Sequence, residues 1–348
     1  MSTFKKFGKS PSAQHQQQIN KSKNFRDGKF QNLSFTPQLT EGTTIPKVLY
    51  SFLFQKNPFT IPPGAIPSVK TDLLNLSSDA AVLVWFGHSS YFIQLDGKTF
   101  LIDPVFSGNA SPLAGTNKSF DGTDRYTVAD LPAIDYLLIT HDHYDHLDYK
   151  TIVELKSKAK TVICGLGVSA HLEDWGYASA SMIEMDWYEK AELENGFEIH
   201  ATPARHFSGR GFTRNKTLWV SYVLQTPTMK IFIGGDSGYD THFSKIGNEY
   251  GPFDLAILEN GQYDARWKYI HATPQEVLQA AKELKAKCLL PVHSGKFAMA
   301  NHPWDEPLKK ITELNKEANI PMVTPMIGEA LFLKEEGRQF EEWWKKLG

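Results

Sequence analysis

Three histidines and two aspartates fall within six consecutive residues, His141-Asp142-His143-Tyr144-Asp145-His146. The whole chain holds 12 histidines in 348 residues, so this density is not that of an ordinary polar loop. Imidazole is the commonest transition-metal ligand near neutral pH, and a carboxylate adds a hard anionic oxygen. His141 and His143 stand two apart, so an extended or tightly turned backbone can aim both at one ion. Asp145 and His146 are adjacent and would address a second ion. The segment follows the apolar run Tyr136-Leu137-Leu138-Ile139, and a strand end holds a side chain rigidly at the edge of a cleft. The chemistry implied is metal-assisted hydrolysis.

One short motif cannot complete two metal sites, so the remaining ligands must come from elsewhere. Three places share its context of apolar strand, ligand-type residue and small residues. His206 follows the strand-like Glu198–Thr202 within Thr202-Pro203-Ala204-Arg205-His206. Asp236 follows Ile231-Phe232-Ile233-Gly234-Gly235, where glycine frees the backbone to turn. His293 follows Leu289-Leu290-Pro291-Val292.

Around these residues, short apolar runs bounded by turn residues predict strands. They cover Leu83–Phe86, Tyr91–Leu95, Thr99–Ile102, Tyr136–Ile139, Thr161–Ile163, Glu198–Thr202, Leu218–Leu224, Lys230–Ile233, Leu255–Leu258, Lys287–Pro291 and Ala330–Leu333. Helices are expected over Tyr149–Ser157 with Asp148 as N-cap, His242–Tyr250, Pro274–Leu284 with Thr273 as cap, and Asp305–Ala318. Alternating strands and helices, with hairpin-like strands first, predict an α/β fold of two or four layers with mixed sheets. Residues 46–348 read as one domain. Residues 1–45 read as a basic polar arm, either solvated and partly flexible or packed on the body, with Phe25, Phe30, Leu33 and Phe35 as anchors. Phe52, Phe54 and Phe59, with Pro62-Pro63, would line an apolar groove or pack into the core.

A hydrophobic fraction of 41% and a charged fraction of 22% are those of a globular chain, and a net charge of -2 argues against nucleic acid as a partner. Cys164 and Cys288 sit in apolar runs without a Cys-x-x-Cys, and are expected as buried free thiols in a reducing cytoplasm. No apolar leader follows Met1, and no run of about 20 apolar residues is long enough to span a membrane. The basic arm leaves peripheral contact with the inner membrane surface open, and a homodimer is equally open.

The segments Trp85-Phe86-Gly87-His88-Ser89, Asp103-Pro104-Val105-Phe106-Ser107, His141 through Asp148, and Gly235-Asp236-Ser237-Gly238-Tyr239 resemble the metallo-β-lactamase fold superfamily. So do Tyr263-Asp264-Ala265-Arg266-Trp267 and His293-Ser294-Gly295-Lys296-Phe297-Ala298. Within that superfamily the chain, over about residues 25 to 335, is similar to N-acyl-phosphatidylethanolamine-hydrolysing phospholipase D and its bacterial relatives. The resemblance implies an αββα sandwich of two mixed sheets flanked by helices, with two divalent ions, zinc first and manganese or iron as alternatives. It places His141, His143 and His206 on one ion, Asp145, His146 and His293 on the other, and Asp236 between them. Asp103 would orient a ligand histidine, His271 would face a substrate phosphate, and His88, Glu259 and Tyr263 would support the site or the substrate. Asp145, Asp236 and His271 would act in catalysis. Glu259, in Leu258-Glu259-Asn260-Gly261, and the arm both depart from the mammalian lipase, which puts the lipid substrate in doubt more than the chemistry.

The activity implied is phosphodiester cleavage of phospholipase D type, by metal-activated hydroxide attacking phosphorus in a phospholipid or smaller diester. A lactone or other carbonyl substrate would suit the same site. A metal-dependent binding protein without catalysis and a nuclease complete the alternatives.

Overall fold

The computed structural model describes residues 5–113, 115–211, 213–335, 337 and 339–347. Ile134–Ile139 is buried along nearly its whole length, so apolar side chains cover both of its faces. A strand of that kind must lie inside a sheet covered on both sides.

In chain order the elements are α1 (Ala13–Ile19), β1 (Phe25–Arg26), β2 (Lys29–Phe30), α2 (Ile45–Phe54), β3 (Val82–Trp85), β4 (Tyr91–Leu95), β5 (Lys98–Ile102), β6 (Ile134–Ile139) and α3 (Tyr149–Leu155). There follow β7 (Ala159–Gly165), α4 (Ser169–Asp174), β8 (Met182–Met185), β9 (Lys190–Glu192), β10 (Glu198–Thr202), β11 (Ser221–Gln225) and β12 (Lys230–Ile233). The chain continues through α5 (His242–Glu249), β13 (Leu255–Glu259), α6 (Pro274–Glu283), β14 (Leu289–Val292), α7 (Glu306–Ala318) and β15 (Ala330–Phe332).

Two mixed sheets result. One runs β15-β3-β4-β5-β6-β7-β8 and the other β14-β13-β12-β11-β10-β9. The pairs β5–β6, β6–β7, β7–β8, β12–β13 and β13–β14 are parallel, and the others within these sheets are antiparallel. The pleat sends alternate residues to opposite faces. Leu83, Ile93, Phe100, Leu138, Tyr222, Ile231 and Ile257 fill the space between the sheets. Their neighbours Val84, Phe92, Leu101, Leu137 and Val162 meet Ile152 and Leu155 of α3 and Leu172 of α4. On the other side Val223, Phe232 and Ala256 meet α5, α6 and α7 through Phe243, Val277 and Ile311. The layers are helix, sheet, sheet, helix, as the resemblance implied.

The helix starts are set by local chemistry. Asp148 caps α3 by accepting from Lys150 N, and Thr273 with Glu276 forms a reciprocal capping box ahead of Pro274. The expected strand Leu218–Leu224 begins only at Ser221. Leu218 N donates to Leu166 O and Val220 N to Thr140 O, so this stretch bridges to the other sheet instead of extending its own ladder. The strands β1, β2, β8 and β9 and the helices α1, α2 and α4 had no counterpart in the sequence reading. Lys190-Ala191-Glu192 is a polar edge strand, defined by its pairing with β10 and not by its own pattern.

The arm lies on the body through Ile19 and Phe30, both fully buried, while Leu33 and Phe35 are exposed. Phe54 and Phe59 are exposed, so they are not core residues; Phe52 stacks on Trp267 at 6.2 Å. Cys164 is buried and Cys288 half-buried, both as free thiols. No helix among the described residues is long and apolar enough to cross a membrane.

Candidate metal centre

The expected ligands come from the ends of central strands, gathered at one edge of the sandwich. β6 delivers His141, His143, Asp145 and His146; β10 leads to His206, β12 to Asp236 and β14 to His293. Gly235 has φ +58°, and a Cβ there would stand 2.9 Å from Thr140 Cβ, so the Gly-Gly pair is what lets Asp236 turn in. His88, Asp103 and His293 hold left-handed φ of 55°, 41° and 64°. Non-glycine residues adopt that conformation at some energetic cost, and it concentrates at functional sites. The turn carrying His88 is tied to the β14 end by His293 N donating to His88 O (2.9 Å) and His88 N donating to Ser294 O (3.0 Å).

Hydrogen-bond partners fix which ring nitrogen is left for a ligand. Thr140 Oγ1 donates to Asp103 Oδ2 at 2.6 Å, so it accepts from His141 Nδ1 at 3.0 Å and leaves His141 Nε2 with its lone pair. His206 Nδ1 donates to Ile270 O at 2.9 Å, leaving Nε2 likewise. These two Nε2 atoms lie 2.9 and 3.2 Å from His143 Nδ1. His146 Nδ1 donates to Asp103 Oδ2 at 2.8 Å, and its Nε2 faces Asp145 Oδ2 at 3.3 Å and Asp236 Oδ2 at 3.2 Å. His293 Nδ1 is 2.8 Å from Ser89 Oγ, and His88 Nε2 is 2.8 Å from Asp145 Oδ2. Asp236 Oδ2 also stands 3.8 Å from His141 Nε2 and 3.7 Å from His206 Nε2, while Oδ1 is 3.1 Å from His293 Nδ1. Asp236 therefore sits between the two trios.

These groups fit a cation. His141, His143 and His206 offer nitrogens within 4.8 Å of one another, as do the ligand atoms of Asp145, His146, His293 and His88. His146 Nε2, His293 Nε2, Asp236 Oδ1 and His88 Nδ1 are buried without a hydrogen-bond partner. Buried polar atoms are rarely left so, and a cation among them would satisfy the three that face the trios. Charge state agrees. Burial foremost holds His141, His206 and His293 well below the ordinary histidine value and His143 at about 4, so these four rings are neutral as metal binding requires, whereas at His146 the carboxylates of Asp236, Asp145 and Asp103 outweigh burial and hold the ring well above that value. Burial alone would raise Asp145 and Asp236, yet the surrounding imidazoles, His146 first, hold both well below the usual carboxylate range.

A cleft of about 750 Å³ opens over the centre. His143, Asp145, His206, Asp236 and His271 reach it, and Phe7, Leu39, Ile45, Trp267, Ile270 and Met299 give it apolar walls. Glu259 is not a wall residue. Its carboxylate is buried, accepts from Ser237 N (2.8 Å) and Ala272 N (3.2 Å), and lies 2.5 Å from His271 Nδ1. Burial works against charge on both members of this pair and pushes Glu259 up to about 7, while the Glu259 carboxylate outweighs burial at His271 and holds its imidazolium up to about 9. Tyr263 does not join the site; its hydroxyl donates to Glu306 Oε1 at 3.0 Å and its ring stacks on His302, turned toward α7.

The sequence reading missed supporting residues. Asp142 accepts from Gly209 N (2.7 Å) and Thr217 Oγ1 (2.9 Å), joining the histidine loop to the loop of His206. Buried Arg210 donates to Asp142 O and Leu147 O. Asp142 stood inside the motif and could have been suspected, whereas Arg210 and Asn32, described below, carry no signal in an isolated sequence.

Comparison with known proteins agrees with this geometry. A family model described as a β-lactamase superfamily domain matches residues 98–294. An uncharacterised protein of Mycobacterium tuberculosis is 34% identical over 328 residues, covering 93% of this chain and 88% of that one. An N-acyl-phosphatidylethanolamine-hydrolyzing phospholipase D 1 of Caenorhabditis elegans is 33% identical over 257 residues, 68% of this chain and 70% of that protein. Among solved structures, a metallo-hydrolase from Ignicoccus hospitalis aligns with a TM-score of 0.53 at 21% identity, covering 72% of this chain and 97% of its own.

Proposed function

The chain belongs to the β-lactamase superfamily of metallo-hydrolases, and from that premise we propose that it is a phosphoric diester hydrolase of phospholipase D type acting on an amphiphilic phosphodiester. The observation that carries this reading is the meeting of the two ligand trios with Asp236 beneath an apolar-walled cleft. His141, His143 and His206 would hold one divalent ion and Asp145, His146 and His293 a second, with zinc as the first choice. Two such ions supply an activated water near neutral pH and positive charge opposite phosphoryl oxygens.

The chain's own residues do the rest. Asp103 keeps the His146 proton on Nδ1 and so turns Nε2 inward. His88 holds Asp145 Oδ2. His271, kept protonated by Glu259, offers a hydrogen bond to a phosphate oxygen or a proton to the departing alkoxide. The walls formed by Leu39, Ile45 and Trp267 exclude water and accept hydrocarbon, and Arg214 lies at the cleft beside Phe207. The helix α2 exposes Ile45, Leu49, Leu53 and Phe54, each by more than half, next to this opening. That surface and the lysines of the arm suit a lipid surface better than a small soluble ester.

The test is turnover of bis(p-nitrophenyl) phosphate, of an N-acyl-phosphatidylethanolamine in mixed micelles, and of a chromogenic lactone. Phosphodiester cleavage without lactone cleavage is expected. Lactone cleavage alone would replace this reading with a carbonyl hydrolase. Sedimentation with anionic vesicles is expected to weaken in Leu53→Ser/Phe54→Ser protein, and unchanged sedimentation would remove the lipid-surface part.

A further inference from the structure

The basic arm reaches both loops that carry the first ligand trio. Asn32 brackets His206 with its side chain: Nδ2 donates to His206 O at 2.7 Å and Oδ1 accepts from His206 N at 3.1 Å. The same Oδ1 accepts from Trp219 Nε1 at 3.1 Å, which fixes the amide's orientation. Earlier in the arm, Lys9 N donates to His171 Nδ1 at 3.0 Å. That places the ring proton on Nε2, which donates to Asp142 Oδ2 at 3.2 Å, between the ligands His141 and His143. The carbonyl of Lys6 accepts from Arg210 Nη2 at 2.7 Å, and Arg210 in turn holds Asp142 O. A residue 174 positions away in the chain thus sets the backbone of one ligand, and two others act on the loop of the other two.

We propose that the arm is a strap that positions the His141/His143/His206 half of the centre, with Asn32 as the positioning residue for His206. The inference rests on the two-ion reading above. Without the amide of Asn32, the His206 backbone loses both polar partners it has in the arm, while the contacts of Lys6 and Lys9 reach only the loop of His141 and His143. Among the described residues, the other trio's supporting hydrogen bonds come from Asp103, Ser89 and His88, which lie outside the strap.

The test is stepwise zinc titration of the full chain against a chromogenic chelator, with melting of the metal-free protein measured in parallel. Asn32→Ala is expected to weaken one of two zinc ions about tenfold or more and leave the other within about twofold, the range typical for groups that orient a ligand. Asn32→Asp keeps the oxygen that accepts from His206 N and Trp219, and is expected to recover part of the loss. Gln31→Ala, whose amide bonds only within the arm, is expected to bind as wild type. Two zinc affinities unchanged in Asn32→Ala would overturn the proposal. So would both affinities falling by one common factor alongside the melting temperature, because that is the mark of a general loss of stability. A wild-type chain that takes up no zinc would remove the two-ion reading, and the strap with it.

Discussion

The two halves of the centre are held in place by different means. Asp145, His146 and His293 are oriented by side chains at the ends and turns of the first sheet: Asp103 on His146, Ser89 on His293 and His88 on Asp145. His141, His143 and His206 are oriented largely through backbone, by Asp142 joining two loops and by Asn32 reaching in from the arm. The first arrangement is fixed by strands that the core determines. The second depends on loops and on a segment that folds onto the body from far away in sequence. Among the described residues, Asp236 is the carboxylate that comes within 3.8 Å of ligand nitrogens in both.

Substitutions can break this comparison in order of effect. Asp236→Asn leaves the shape but removes the charge shared by both halves. It is expected to release or loosen both ions and to lower phosphodiester turnover on the order of a thousandfold. Loss of a single ion with turnover largely kept would contradict a shared role. Asp103→Asn should act mainly on one half, because Asp103 holds His146 directly and reaches His141 only through Thr140 Oγ1. It weakens the acceptor that holds His146 Nδ1–H, and the affinity of one ion should fall about 10- to 100-fold. Equal weakening of both ions would show that the halves are not separately supported.

The smallest effect concerns protons. Burial foremost keeps His141, His206, His242 and His293 below the ordinary histidine value of 6.5, with His143 at about 4 and His242 at about 3. The unfolded chain takes up protons on these rings below about pH 6.5 and the folded chain does not, so their contribution to stability is present above that pH and is lost as pH falls toward about 4. His146 and His271 are raised by neighbouring carboxylates that outweigh burial, and they act in the opposite sense. With more rings lowered than raised, metal-free protein is expected to melt several degrees lower at pH 5 than at pH 7. A flat or rising melting temperature would mean that the rings are not held neutral.

What the sequence revealed follows from where each feature's information lies. The central strands are local patterns of apolar residues, and β6, β12 and β14 stand close to where those patterns place them. All seven expected ligands follow the ends of such strands, which is why a single chain sufficed to single them out as candidates. Edge strands such as Lys190-Ala191-Glu192 exist only through their partner, and Leu218–Val220 looked like strand although its hydrogen bonds go elsewhere. The supporting residues were the hardest. Nothing local distinguishes Asn32 from any other polar residue of the arm, and Tyr263, close to the site in the family resemblance, bonds to α7 instead. Glu259 read as a departure that puts the lipid substrate in doubt, whereas its carboxylate is turned to His271 and the backbone of Ser237.

The central claim is that these residues form one two-ion hydrolytic centre. It is tested most directly by counting metal in protein purified without added metal and then reloaded with zinc, while following bis(p-nitrophenyl) phosphate turnover on the same samples. About two ions per chain, with turnover lost on chelation and restored on reloading, is the predicted result. Turnover that survives complete removal of metal, or a chain that binds none after zinc is supplied, would contradict it.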